Sequence, residues 1–99
     1  MTGIADDPAF APLVARFVKT LPLRLAALRS AENESNWEEV ASLAHQMAGA
    51  AGGYGFPELG EVSSRIEALA KKHPRSGDLA RSIFAFDSIC ARIARKYLH

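Results

Sequence analysis

The sequence predicts an all-α protein, an up-and-down antiparallel four-helix bundle with an additional N-terminal helix or helical extension. Three observations carry this. Apolar residues recur at helical spacing in successive stretches, and no stretch alternates convincingly with period two. The connections between periodic stretches are short, so neighbouring helices are expected to run antiparallel around a shared core. Ninety-nine residues are enough for one core and too few for two. Residues 1–99 are therefore read as a single domain, with 1–6, which carry no periodic signal, expected to be a mobile tail.

Asp7-Pro8 reads as an N-cap followed by proline at the first helical position. Phe10, Leu13, Val14, Phe17, Val18 and Leu21 then recur at helical spacing. Thr20-Leu21-Pro22 either restarts the chain as a second helix or kinks one long helix, and Leu25 and Leu28 extend an apolar face to about Ala31; the sequence leaves both options open for residues 7–31. Polar Glu32 to Ser35 make a loop. Asn36 caps the next helix, Trp37 to about Gly53, with Glu39 three residues on completing a capping pattern. Pro57 opens a helix whose buried face is Leu59, Val62, Ile66, Leu69 and Ala70, ending at Lys71, Lys72 and Pro74. Ser76-Gly77-Asp78 begins the last helix, where Leu79, Ile83, Phe86, Cys90, Ile93 and Tyr97 step by four and three residues, a bundle seam.

Composition narrows the function classes. The chain is 48% hydrophobic and 23% charged, an ordinary globular balance, and its net charge of +1 is dispersed. That gives no electrostatic footprint for nucleic acid or an anionic membrane. One cysteine, Cys90, excludes an intrachain disulfide framework and fits a reducing compartment. Asp6, Asp7 and Pro8 interrupt any signal-peptide pattern, and no apolar run nears the roughly 18 residues of a membrane span. A cytoplasmic protein is expected.

The stretch from Leu43 to Gly55 sets one histidine among very small residues. On a helix turning about 100° per residue, Val40, Leu43, Ala44, Met47, Ala51 and Tyr54 form an apolar stripe with Trp37 at its edge, and His45 lies on the open flank. The positions three, four and seven residues after it are Ala48, Gly49 and Gly52, so nothing bulky stands on its C-terminal side. Each mid-helix glycine costs roughly 1 kcal/mol relative to alanine, which calls for a compensating use at Gly49, Gly52 and Gly53. Spacing alone allows two uses: admitting a partner to the imidazole, or letting two helices of the bundle pack closely around an ordinary surface histidine. Gly55, before Phe56-Pro57, reads as the glycine that ends the helix.

The run from His45 to Gly55, followed by Phe56-Pro57-Glu58-Leu59, resembles the histidine-containing phosphotransfer (HPt) domain of multistep phosphorelays. The similarity extends from Leu21-Pro22-Leu23-Arg24-Leu25 through Trp37-Glu38-Glu39 to about Leu69. The resemblance implies that His45 is the phosphoacceptor, carrying a phosphoryl group between receiver-domain aspartates, and that Gly49 is the small residue that admits the receiver; by their spacing from His45, Ala48 and Gly52 are expected to share that docking face. The family motif often has lysine three residues after the histidine; here that position is Ala48. The partners implied are a response-regulator receiver domain, a hybrid histidine kinase, or both; the domain itself is expected to be a monomer. The chain has no Gly-rich nucleotide loop and no clustered Mg²⁺ carboxylates, so the acidic pocket, the Mg²⁺ ion and a lysine are expected on the receiver. No cofactor or metal is expected on this chain, which reads as a phosphocarrier rather than an enzyme.

A neutral imidazole is a competent nucleophile if one nitrogen is exposed and the ring is held still. Glu67 lies about 100° from the centre of its helix's apolar stripe, near the groove between helices, where its carboxylate would accept one ring N–H of His45. A polar residue, commonly glutamine, stands at the matching family position. The competing account of Glu67 is a solvated helix-face glutamate. Trp37, Tyr54 and Cys90 read as packing residues, and His73 and His99 as surface groups. Two other functions compete: a receiver-binding helical module that docks without phosphotransfer, which Ala48 keeps open, and a metal or haem bundle, which the absence of a second histidine near His45 disfavours.

Overall fold

In the computed structural model, which describes residues 4–98, several helix ends fall where a local residue supplies or withholds a backbone hydrogen bond. The Asp7 carboxylate accepts the Ala9 N–H at 3.0 Å and opens a 3-10 turn, Pro8–Phe10, that runs into α1 (Ala11–Lys19). At Thr20 the ladder breaks. Thr20 Oγ1 donates to the Phe17 carbonyl at 2.6 Å and accepts from Arg24 Nε at 2.8 Å, while Pro22 has no N–H to offer the preceding turn. α2 (Leu21–Asn33) follows as a separate helix, so the choice left open by the sequence falls to two helices.

Asn36 caps α3 (Trp37–Tyr54) by accepting the Glu39 N–H at 3.2 Å. The cap is one-sided, contrary to the expected reciprocal pattern, because the Asn36 N–H is already bonded to the Ala31 carbonyl at 2.9 Å. Gly55 closes α3 with φ 91°, the left-handed region where glycine is unstrained. The Phe56 N–H reaches the Ala51 carbonyl at 2.9 Å and the Gly55 N–H the Gly52 carbonyl at 3.3 Å, a Schellman arrangement. Pro57 opens α4 (Pro57–Lys72), and a four-residue turn leads to α5 (Gly77–Tyr97).

Helices α2, α3, α4 and α5 pack in a closed ring, and α1 lies against α5 and α2 as the additional helix. Short connections force neighbours to run antiparallel. Glu58 at the start of α4 accordingly accepts from Arg92 near the end of α5, at 2.8 Å. The result is an all-α bundle with no strand among the described residues. Among the described residues no helix is long and apolar enough to cross a membrane.

Met47, Ile66 and Cys90 are buried, with Leu59, Val62, Leu79, Ile83 and Phe86 around them. Burial pushes the Cys90 thiol up to about 12, with the Asp87 carboxylate adding to the effect. Several stripe positions depart from expectation. Leu43, Leu69 and Tyr54 are half-buried, whereas Ala41 is core. Phe10 and Leu13 are exposed, because α1 covers only one side of the bundle. The tail expected over 1–6 falls partly on residues 1–3, outside the described residues, as does His99. Within 4–6 the chain is packed: Ala5 joins the core, Ile4 packs against it, and Tyr97 Oη donates to Asp6 at 2.9 Å.

Aromatic rings fix the end of α3 that carries the glycines. Phe17 of α1 stacks on Tyr54 with centroids 4.3 Å apart and on Phe56 at 6.0 Å, and Phe56 meets Tyr97 edge-on at 5.3 Å. The α3–α4 turn is thereby anchored to α1 and α5, which sets the register of α4 against α3.

Candidate functional site

That register brings two residues 22 positions apart together, His45 on α3 and Glu67 on α4. His45 is exposed over 75% of its side chain, while Glu67 is only 19% exposed, lying in the seam between the helices. His45 Nδ1 stands 3.1 Å from Glu67 Oε1, and Lys71 Nζ donates to Glu67 Oε2 at 2.9 Å. The Lys71 ammonium, and after it the His45 ring N–H, hold the Glu67 carboxyl below the usual carboxylate value. An ionised carboxylate can only accept, so Nδ1 is the nitrogen that carries the proton. In the neutral ring the lone pair is then on Nε2, which faces away from Glu67.

His45, Glu67 and Lys71 share an open groove of about 670 Å³ with Trp37, Ala41 and Pro74. Trp37 is half-buried there, so it is both packing residue and groove wall. On the other side of His45, Ala48 is half-buried and Gly49 and Gly52 are exposed. A Cβ added to Gly49, Gly52 or Gly53 would meet nothing within 4 Å. Close packing inside the bundle therefore does not explain these glycines. The glycine that does serve packing is Gly60 of α4, where a Cβ would lie 3.7 Å from the Ala48 carbonyl oxygen and 3.8 Å from Ala51 Cβ.

Two participants were not singled out from the sequence. From the sequence, Lys71 reads only as a helix-end cation; its spacing of four residues from Glu67 is the available signal. Gly60 sat within a helix whose apolar face drew attention elsewhere. Both Glu67 oxygens are engaged, one by His45 and one by Lys71, and no group of three or more metal-ligating side chains forms among the described residues.

The fold and this geometry together define a helical module that presents one oriented imidazole on an open flank. Residues 12–96 match the family model of the Hpt domain, and the chain belongs to that family. No curated protein and no solved structure matches the chain. Hpt domains are phosphotransfer modules of phosphorelays, phosphocarriers rather than enzymes, that work with receiver domains and kinases.

Proposed function

We propose that this protein carries a phosphoryl group on His45, taken from a receiver-domain aspartate or a hybrid kinase and passed to the aspartate of another receiver. Nε2 attacks the phosphorus of the aspartyl phosphate. The P–O bond breaks, the Nε2–P bond forms and the aspartate leaves as carboxylate; the reverse sequence delivers the group. Glu67 orients the ring and holds the Nδ1 proton, which keeps the Nε2 lone pair available. Gly49 and Gly52, with Ala48 beside them, leave room for the receiver to approach. Phosphoryl transfer depends mostly on positioning and on neutralising charge. On this reading Mg²⁺ belongs to the receiver, and no side chain of this chain is assigned to it. The reading includes a monomeric, cytoplasmic domain.

One observation carries the reading: an imidazole exposed over 75% of its surface is held through Nδ1 by a carboxylate. Incubation with a phosphorylated receiver should place acid-labile label on the wild-type protein and none on His45→Gln, with the helical spectrum unchanged. Label persisting in His45→Gln, or found on His73, would remove His45 from the role. Ala48, at the position where related domains often have lysine, favours a second reading in which the domain docks a receiver without accepting phosphate. Complex formation without any label would select that reading.

A further inference from the structure

A phosphoryl group on Nε2 of His45 would add negative charge to a ring whose other nitrogen is fixed on the Glu67 carboxylate. Left alone, that carboxylate opposes the modified state. The groove holds a second carboxylate, Glu38, and one ammonium, Lys71, to set against them. Lys71 Nζ is bonded to Glu67 Oε2 at 2.9 Å, and the lysine lines the same groove as His45. Its side chain is 61% exposed, so the ammonium is tethered at one point and otherwise free to turn.

Other basic groups are less well placed. Lys72 does not line the groove, and His73 and Arg75 line a separate hollow beyond Trp37 and Pro74. On α3 itself the turn after His45 offers only Ala48 and Gly49.

We propose that Lys71, held in place by Glu67, supplies from the neighbouring helix the positive charge that neutralises a phosphoryl group on His45. The inference rests on the phosphocarrier reading and deepens it. An ammonium has three N–H donors, so Lys71 can keep Glu67 and bond a phosphoryl oxygen at once. Glu67 then has two jobs, holding the ring through one oxygen and the cation through the other. The arrangement does on α4 what a lysine at position 48 would do on α3, which makes the two positions interchangeable.

The experiment compares wild type, Lys71→Gln, Ala48→Lys and the double variant, each equilibrated with a phosphorylated receiver domain. Lys71→Gln should still accept label, with the ratio of phosphorylated domain to phosphorylated receiver falling about two- to fivefold at low salt and less at high salt, as for an exposed ion pair. By phosphorus NMR the phosphoryl pKa of the isolated phosphoprotein should rise by about 0.2 to 0.7 units in the same variant. Ala48→Lys should restore both quantities in the Lys71→Gln background. A merely structural lysine would move neither the phosphoryl pKa nor its rescue from position 48. An unchanged ratio and phosphoryl pKa in Lys71→Gln overturns this inference and leaves the phosphocarrier reading standing. Absence of label on wild type overturns that reading, and this inference with it.

Discussion

Glu67 accepts a hydrogen bond from Nδ1 of His45 across 3.1 Å, joining α4 to α3 at their exposed flank. The contact selects a tautomer. With Nδ1–H committed to the carboxylate, the neutral ring keeps its lone pair on Nε2, the nitrogen toward the open flank. Glu67→Ala should release that choice. Nitrogen NMR of the imidazole is expected to show Nδ1–H in wild type and a shift toward Nε2–H in the variant. Transfer to His45 should slow while docking of the receiver is retained. A tautomer unaffected by the substitution would mean that Glu67 does not orient the ring.

The same carboxylate should resist acid. Its pKa is lowered from 4.5 first by the Lys71 hydrogen bond and then by that of His45, so the folded state favours the ionised form. The sign follows from linkage: the stabilisation is present above the unfolded value and is lost as pH falls through the lowered folded value. A carboxyl carbon NMR titration should find Glu67 more than half ionised at pH 4.5, and Lys71→Gln should move its midpoint upward. A midpoint at or above the ordinary value in wild type would contradict the pairing.

Helix phase made the His45 flank and the Glu67 position legible in the sequence, because both depend only on rotation about each helix's own axis. What it left out depends on how close two helices come. Gly60 lets α4 approach the backbone of α3, and that approach buries Ala41 on the near side while Leu43 on the far side stays half-buried. A stripe drawn from hydrophobicity ranks leucine above alanine and cannot contain this. Phe10 and Leu13 show the same limit: their spacing is that of a buried face, yet α1 has a neighbour on only part of it. Lys71 escaped for a different reason. Its charge fits a helix C-terminus whatever else it does, and its partnership with the site appears only once Glu67 is seen to have a second oxygen to share.

Two fully buried residues three positions apart on α4 should respond oppositely to alanine. Ile66 is completely enclosed, and Ile66→Ala should cost about 2 to 5 kcal/mol through lost transfer energy and the cavity left behind. Ser63 is equally enclosed, and its Oγ is the buried side-chain polar atom without a hydrogen-bond partner among the described residues. Removing an unpartnered hydroxyl relieves its desolvation, so Ser63→Ala should raise stability by about 1 kcal/mol. Denaturant unfolding of both variants measures the difference. Loss of more than about 1 kcal/mol in Ser63→Ala would show that the hydroxyl is bonded in solution.

Gly49 and Gly60 test whether the small residues near His45 serve a partner or the bundle. A side chain at Gly49 meets open space, whereas at Gly60 a Cβ already touches the backbone of Ala48 and Gly52 at 3.7 and 3.9 Å. Gly49→Leu should therefore gain helix propensity, up to roughly 1 kcal/mol, with no strain. Gly60→Leu gains the same propensity but must place the rest of the side chain into the α3–α4 seam, an overpacking that typically costs about 1 to 3 kcal/mol. Gly49→Leu is expected to be the more stable of the two by about that amount. Its transfer rate should nevertheless fall sharply, because the added branch stands where a receiver must approach Nε2. Stability and transfer then move in opposite directions in one variant, which no internal packing role can produce. Transfer at the wild-type rate in Gly49→Leu would show that the open flank after His45 is not where the receiver lands.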